Sequence, residues 1–300
     1  MKSSAHVRML GLTLVGVPLL FAGIFALQRA IDGRPSSQTQ EQDELLMRSG
    51  ATLKKLSIGY DSLLADIYWT RAVQYYGTWV GSPNAKFDRL WPLLDITTTL
   101  DPRLTVAYHF GAIFLSEPGP MGAGRTDLAV ELVKRGVAAN PENWHMDTDL
   151  GFLYFWRLHD YANAAATYLE GGKKPGAPSW MKLMAARMAD RGGDMRTSQL
   201  IWTQLYESSK EPAIRKMALE HLLGLKALGE EEQLDQISEE YRQRYGRYPA
   251  STKELADAKL LPGIPLDPAG FPYQIGADGH AHLNSQSTVT DESKPEATRP

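Results

Sequence analysis

Residues Gly119-Pro-Met-Gly-Ala-Gly124-Arg125-Thr126 have the glycine spacing of a phosphate-binding loop. Such a loop works because backbone N–H groups between a strand and a helix converge on phosphate. Arg125 stands where that motif carries lysine, and the preceding Val106 to Leu115 reads as a helix. The stretch is therefore expected to be a long interhelix loop. Of the seven His, no two have the i, i+4 spacing of a zinc protease. His280 and His282 alternate on an expected short strand and would share one face, but two His do not complete a zinc site. Asp147 and Asp149 stand two apart on a helix, where side chains diverge. The chain has no Cys, which excludes thiol catalysis, Cys-zinc sites and iron–sulfur clusters. Nothing in this inventory assembles a nucleophile, a base and an orienting group. The chain is read as a non-enzyme: no catalytic, cofactor-binding or metal-binding residue, no cofactor and no small-molecule substrate is expected.

Lys plus Arg is 32 against 35 Asp plus Glu. That balance argues against a nucleic-acid partner, which would call for a basic excess. The apolar fraction of 43% is ordinary for a folded chain, and 300 residues allow about two domains.

The elements that would position these residues repeat. Pro falls at 102, 141, 175, 212 and 249, at intervals of 34 to 39 residues. Each Pro punctuates a helix end, because it lacks an N–H and restrains the residue before it. Turn residues at Asp160-Tyr161, Gly192-Gly193-Asp194 and Gly229-Glu230 keep the same phase, so each period reads as helix, turn, helix. Leu64, Ile67, Tyr68, Ala72, Tyr75 and Trp79 lie on one helical face. Leu150, Phe152, Tyr154, Phe155 and Trp156 predict a helix buried nearly all round. Gly111, Gly151 and Ala185 fall about ten positions after a Pro, where a small residue lets the paired helix approach closely. Pro92, inside WPLLDITTTL, makes its helix start late or kink.

A period near 34 with this layout, and above all Leu150-Gly151-x-x-Tyr154 followed by Asp160-Tyr161-x-x-Ala164-x-x-x-Tyr168, resembles the tetratricopeptide repeat family. The resemblance covers roughly residues 59–245. It implies an all-α, helical-hairpin superhelix (a solenoid) whose concave groove holds protein partners. On that reading Tyr68, Arg71, Tyr75, Tyr108, Asp147 and Arg187 are the candidates for the groove.

Residues 246–284 break the pattern and predict a small α+β module. Ser251 or Thr252 starts a short helix to Leu261. A run of Pro and Gly follows, then two strands around Gly276 to Gly279. The string Pro265-x-Asp267-Pro268-x-Gly270-x-Pro272-Tyr273 resembles the C-terminal part of type II secretion pseudopilins. In that family an adjoining acidic loop can bind calcium; here Asp267 and Asp278 stand without an acidic cluster. With so few large apolar residues the module is expected to dock on the last repeat. The polar residues 285–300 read as a disordered tail.

Met9 to Leu27 is a run of 19 uncharged residues, about 28 Å as a helix, after Lys2 and Arg8. It predicts a membrane anchor within residues 1–30, with the N-terminus cytoplasmic and the bulk across the membrane; residues 31–58 form a linker and a first short helix. The rival is a signal peptide cut after Ala26. Gly11-Leu12-Thr13-Leu14 also echoes a pilin cleavage site, with Gly16 where that family has Glu. The expected role is a membrane-anchored, protein-binding scaffold on the outer side of a bacterial cytoplasmic membrane, in envelope, pilus or secretion assembly. The alternative is a permanent structural subunit of a large membrane complex.

Overall fold

The computed structural model describes residues 18, 21–23, 26, 29 and 49–289 of the 300. The chain divides into two units, Met1–Arg48 and Ser49–Pro300. In the first, the described positions from Pro18 to Arg29 are helical. Most of the expected anchor and the tail beyond 289 lie outside the described residues. No helix among those described is long and apolar enough to cross a membrane.

The second unit is all-α apart from one small sheet. Its helices are α1 (Gly50–Leu56), α2 (Asp61–Trp79), α3 (Leu90–Leu100), α4 (Thr105–Ser116), α5 (Thr126–Ala139), α6 (Trp144–Phe152), α7 (Tyr161–Gly171), α8 (Trp180–Arg191), α9 (Met195–Ser208), α10 (Pro212–Tyr245) and α11 (Thr252–Asp257). Neighbours in sequence pack together: α2 on α3, α4 on α5, α6 on α7, α7 on α8, α8 on α9, and α9 on α10.

The punctuation in the sequence marks real boundaries. Pro102 and Pro141 stand just before α4 and α6, and Pro212 opens α10. Asp160 and Asp194 cap α7 and α9, accepting the Asn163 and Thr197 N–H groups at 3.1 and 3.0 Å. Pro92 lies in the first turn of α3, where its missing N–H has no partner to lose, so the helix starts late. Small residues make the close approaches. A Cβ on Gly151 would lie 2.9 Å from the Tyr168 ring of α7, and one on Gly111 2.8 Å from Leu132 of α5.

Gly229 does not form the expected turn. Helix α10 runs unbroken for 34 residues. An internal Gly costs only about 1 kcal/mol, and the Glu-rich stretch after it favours helix, with Lys226 and Glu230 paired at 3.8 Å. The helix is also held from outside by the segment that follows it.

That segment carries α11 and an antiparallel pair, β1 (Gln274–Ile275) and β2 (Ala281–His282), in the register Gln274 to His282. It docks on α10. Tyr273 and Ala281 bury Leu234, and Tyr273 OH donates to Glu230 at 2.6 Å. Asp235 accepts the Ala281 N–H at 2.6 Å and faces His280 Nδ1 at 2.8 Å. The Asp-Pro-x-Gly string has a local cause: Asp267 Oδ1 accepts the Ala269 and Phe271 N–H groups, both at 2.9 Å, and Gly270 takes φ +92°. The helix expected to reach Leu261 stops at Asp257.

Glu254 joins α11 to α10, accepting Tyr241 OH at 2.8 Å and the Ala250 N–H at 2.7 Å beside the Arg247 guanidinium. These contacts, Arg247 first, lower its pKa to about 2. A depressed carboxylate contributes stability above its unfolded pKa and loses it as pH falls toward the folded value. Acid titration from pH 5 to 2, followed by tyrosine fluorescence, is expected to loosen the parent module in that window. In Glu254→Gln that transition should be smaller, the remainder coming from Asp267 and Asp278, whose carboxyls are also held below their ordinary range by hydrogen bonds. An identical acid transition in both chains would remove Glu254 from this role.

Candidate protein-binding face

Helices α2, α4 and α6 are the first members of their pairs, and their unpaired sides carry aromatic rings. Phe114 stacks on Tyr76 at 3.8 Å and on Trp69 at 6.2 Å, linking α4 to α2. Phe110, 43% exposed, lies 6.3 Å from Phe114. Two polar contacts tie α4 to α6: His109 Nδ1 stands 2.8 Å from Asp149 Oδ1, and Arg157 donates to Glu117.

Helix α6 does not end as an ordinary α-helix. Leu153–Arg157 forms a π-helical turn, closed by Leu158 N–H to Leu153 O at 3.2 Å. Leu150 and Tyr154 face the core, while Phe152 and Trp156 turn outward, 46% and 55% exposed, with their rings stacked at 6.2 Å. The expectation of a helix buried all round is therefore corrected. Single π-turns in α-helices often mark functional positions, and exposed aromatic anchors are the residues that carry binding energy.

Burial shapes the electrostatics behind this face. It raises the pKa of Asp149, against the lowering effect of His109. It raises Tyr168 to about 12, helped by the Asp149 charge.

The six residues expected in a groove do not line one surface. Tyr68 and Tyr108 are core residues, because their helical positions face the partner helix of the pair. Asp147 is also buried, in an ion pair with Lys174 of the α7–α8 loop. Arg71 is half-buried, with its guanidinium 6.0 Å above the Tyr68 ring. Tyr75 is half-buried and donates to Lys86 O at 2.9 Å. Arg187 is exposed on α8 and donates to Met217 Sδ at 3.8 Å. Sequence reasoning missed the outward phase of Phe110 and Phe152. A signal was present: each adjoins a glycine that marks the pairing face, and one helical step rotates a side chain by about 100°.

The glycine loop between α4 and α5 folds back on α4. The Ala123, Gly124 and Arg125 N–H groups bond Phe114 O, Glu117 O and Leu115 O at 2.7 to 3.0 Å, so donors that would cradle a phosphate are engaged. The Arg125 side chain grips Asp127 at 2.8 and 2.5 Å. With the α2–α3 loop it borders a cleft of about 830 Å³, lined by Phe87, Trp91, Pro92, Pro120 and Lys86.

One buried cluster brings together residue types that do chemistry elsewhere. Asp190 accepts Trp202 Nε1 at 3.0 Å and Ser198 Oγ, and His221 stacks on Trp202 at 4.0 Å. The order is wrong for nucleophilic catalysis, which needs the serine on the histidine. Ser198 is also fully buried, so the cluster joins α8, α9 and α10 rather than meeting a substrate. Among the described residues no group of three or more His, Asp or Glu could hold a metal ion.

No protein-family model matches this chain. No curated protein and no solved structure matches it either. The aromatic face therefore stands on its own geometry.

Proposed function

We propose that this chain is a membrane-anchored, TPR-like helical-repeat scaffold that binds other proteins on the outer side of a bacterial cytoplasmic membrane. On this reading residues 9–27 anchor it. The pairs α2–α3, α4–α5, α6–α7 and α8–α9 act as stacked hairpins, each unable to bury its apolar side alone. The observation that carries the reading is the aromatic face of α2, α4 and α6, where Phe110, Phe152 and Trp156 stay half in solvent beside a π-helical turn. The pseudopilin-like string at 265–273 favours work in envelope, pilus or secretion assembly.

The test is crosslinking of the full chain in its native membrane, followed by identification of what is captured. The double variant Phe152→Ser, Trp156→Ser removes two exposed anchors. Loss of a hot-spot aromatic costs about 2 kcal/mol or more, so capture should fall at least ~30-fold, while the melting temperature stays near that of the parent. Undiminished capture by the variant would exclude this face as the binding site.

A further inference from the structure

We infer that the turn between α1 and α2 is a bilayer-contact element that seats the Ser49–Pro300 unit on phospholipid; the inference rests on the anchored reading above. Leu56, Ile58, Tyr60 and Leu63 all project into solvent within eight residues, Ile58 at 88% and Tyr60 at 66% exposure. A lone exposed apolar side chain is ordinary, but a cluster of large ones marks a contact surface.

The backbone sharpens the point. Ile58 takes φ +49°, a left-handed conformation that β-branched residues avoid, and Gly59 follows at φ +87°. The turn is built to hold that shape: Ser57 Oγ donates to Lys54 O at 2.8 Å, and the Tyr60 N–H bonds Ser57 O at 2.9 Å. Strain kept by its surroundings, with the strained side chain in water, points to a contact made elsewhere.

The chemistry suits a lipid surface. Aliphatic tips enter the acyl boundary, and a tyrosine lies with its ring apolar and its hydroxyl wet. Exposed Lys55, beside the turn, can meet anionic headgroups. Chain length commits the occupant. Residues 28–48 separate the proposed anchor from Ser49, so the two can stand at most about 70 Å apart. The turn begins seven residues after Ser49, so among the described residues of the Ser49–Pro300 unit it is the exposed apolar cluster nearest the proposed anchor along the chain.

The test uses the full chain in vesicles of phosphatidylcholine and phosphatidylglycerol. With no native Cys, Ile58→Cys and Leu63→Cys each offer one site for an environment-sensitive fluorophore, and Glu232→Cys on α10 is the control. The labels at 58 and 63 should shift to the blue and lose most of their emission to a quencher carried on the lipid. The label at 232 should do neither. Water-like emission at 58 and 63, from chain that survives an alkaline wash of the vesicles, overturns this inference and leaves the anchor intact. A blue shift without lipid quenching overturns it too, because protein then covers the turn. Chain stripped from the vesicles by the wash refutes the anchor, and the inference with it.

Discussion

Gly151→Leu is expected to lower the melting temperature of the chain by several degrees. A Cβ at this position would stand 2.9 Å from two carbons of the Tyr168 ring, closer than real contacts allow. Tyr168 is itself buried on α7 and cannot swing into solvent. The leucine must therefore push α6 and α7 apart or force both side chains off their rotamers. Overpacking of this kind costs about 1–3 kcal/mol. For a unit of this size each kcal/mol shifts the midpoint by about 2–4 °C, so a drop approaching ~10 °C is within reach. Glu232→Gln, at an exposed position of α10, should cost under ~0.5 kcal/mol. Thermal melts of both variants beside the parent decide the point. A Gly151→Leu midpoint level with Glu232→Gln would mean that the α6–α7 contact does not limit stability.

Deleting residues 246–300 is expected to destabilise the helices that remain and to promote aggregation. The deletion strips Tyr273 and Ala281 from Leu234, and Glu254 from Tyr241. It also leaves Asp235 and Glu230 without the partners that now hold the segment to α10. On the proposed repeat reading, the last helix needs a cover for its apolar face, and the contacts on Leu234 put the short segment in that place. Tyr273→Ala tests the same contact without removing chain. Loss of a large buried aromatic costs about 3–5 kcal/mol, and the Glu230 carboxylate would lose its hydroxyl donor. Scattering during a thermal ramp reads both effects. Unchanged melting and scattering in the deleted chain would show that the segment does not cap α10.

These variants probe a structure of which part was legible beforehand. Pro102, Pro141 and Pro212 mark helix starts because a missing N–H and a restricted neighbour act within one turn of chain. Asp160 and Asp194 announce caps for the same short-range reason. Gly151 was readable as a close approach because only a small residue fits between paired helices, and the strands around Gly276 to Gly279 followed from turn chemistry.

Other features had no local signature. The Gly229 turn did not form because docking against α10 and the helix-favouring residues beside it outweigh the modest cost of one glycine. Tyr68, Tyr108 and Asp147 looked like groove residues, but burial depends on which neighbouring helix lies over a position, and only packing decides that. Phe152 and Trp156 point outward while Leu150 and Tyr154, on the same helix, point inward, and which of the two faces is covered depends on the helices packed against it. Ser198, Asp190, Trp202 and His221 span 32 residues of sequence and meet only because α8, α9 and α10 converge. The sequence alone determined most helix starts and the close approaches, since those depend on residues within a turn or two. Which faces are buried, and which aromatics are left exposed, was decided by tertiary packing, because burial is a property of neighbours distant in the chain.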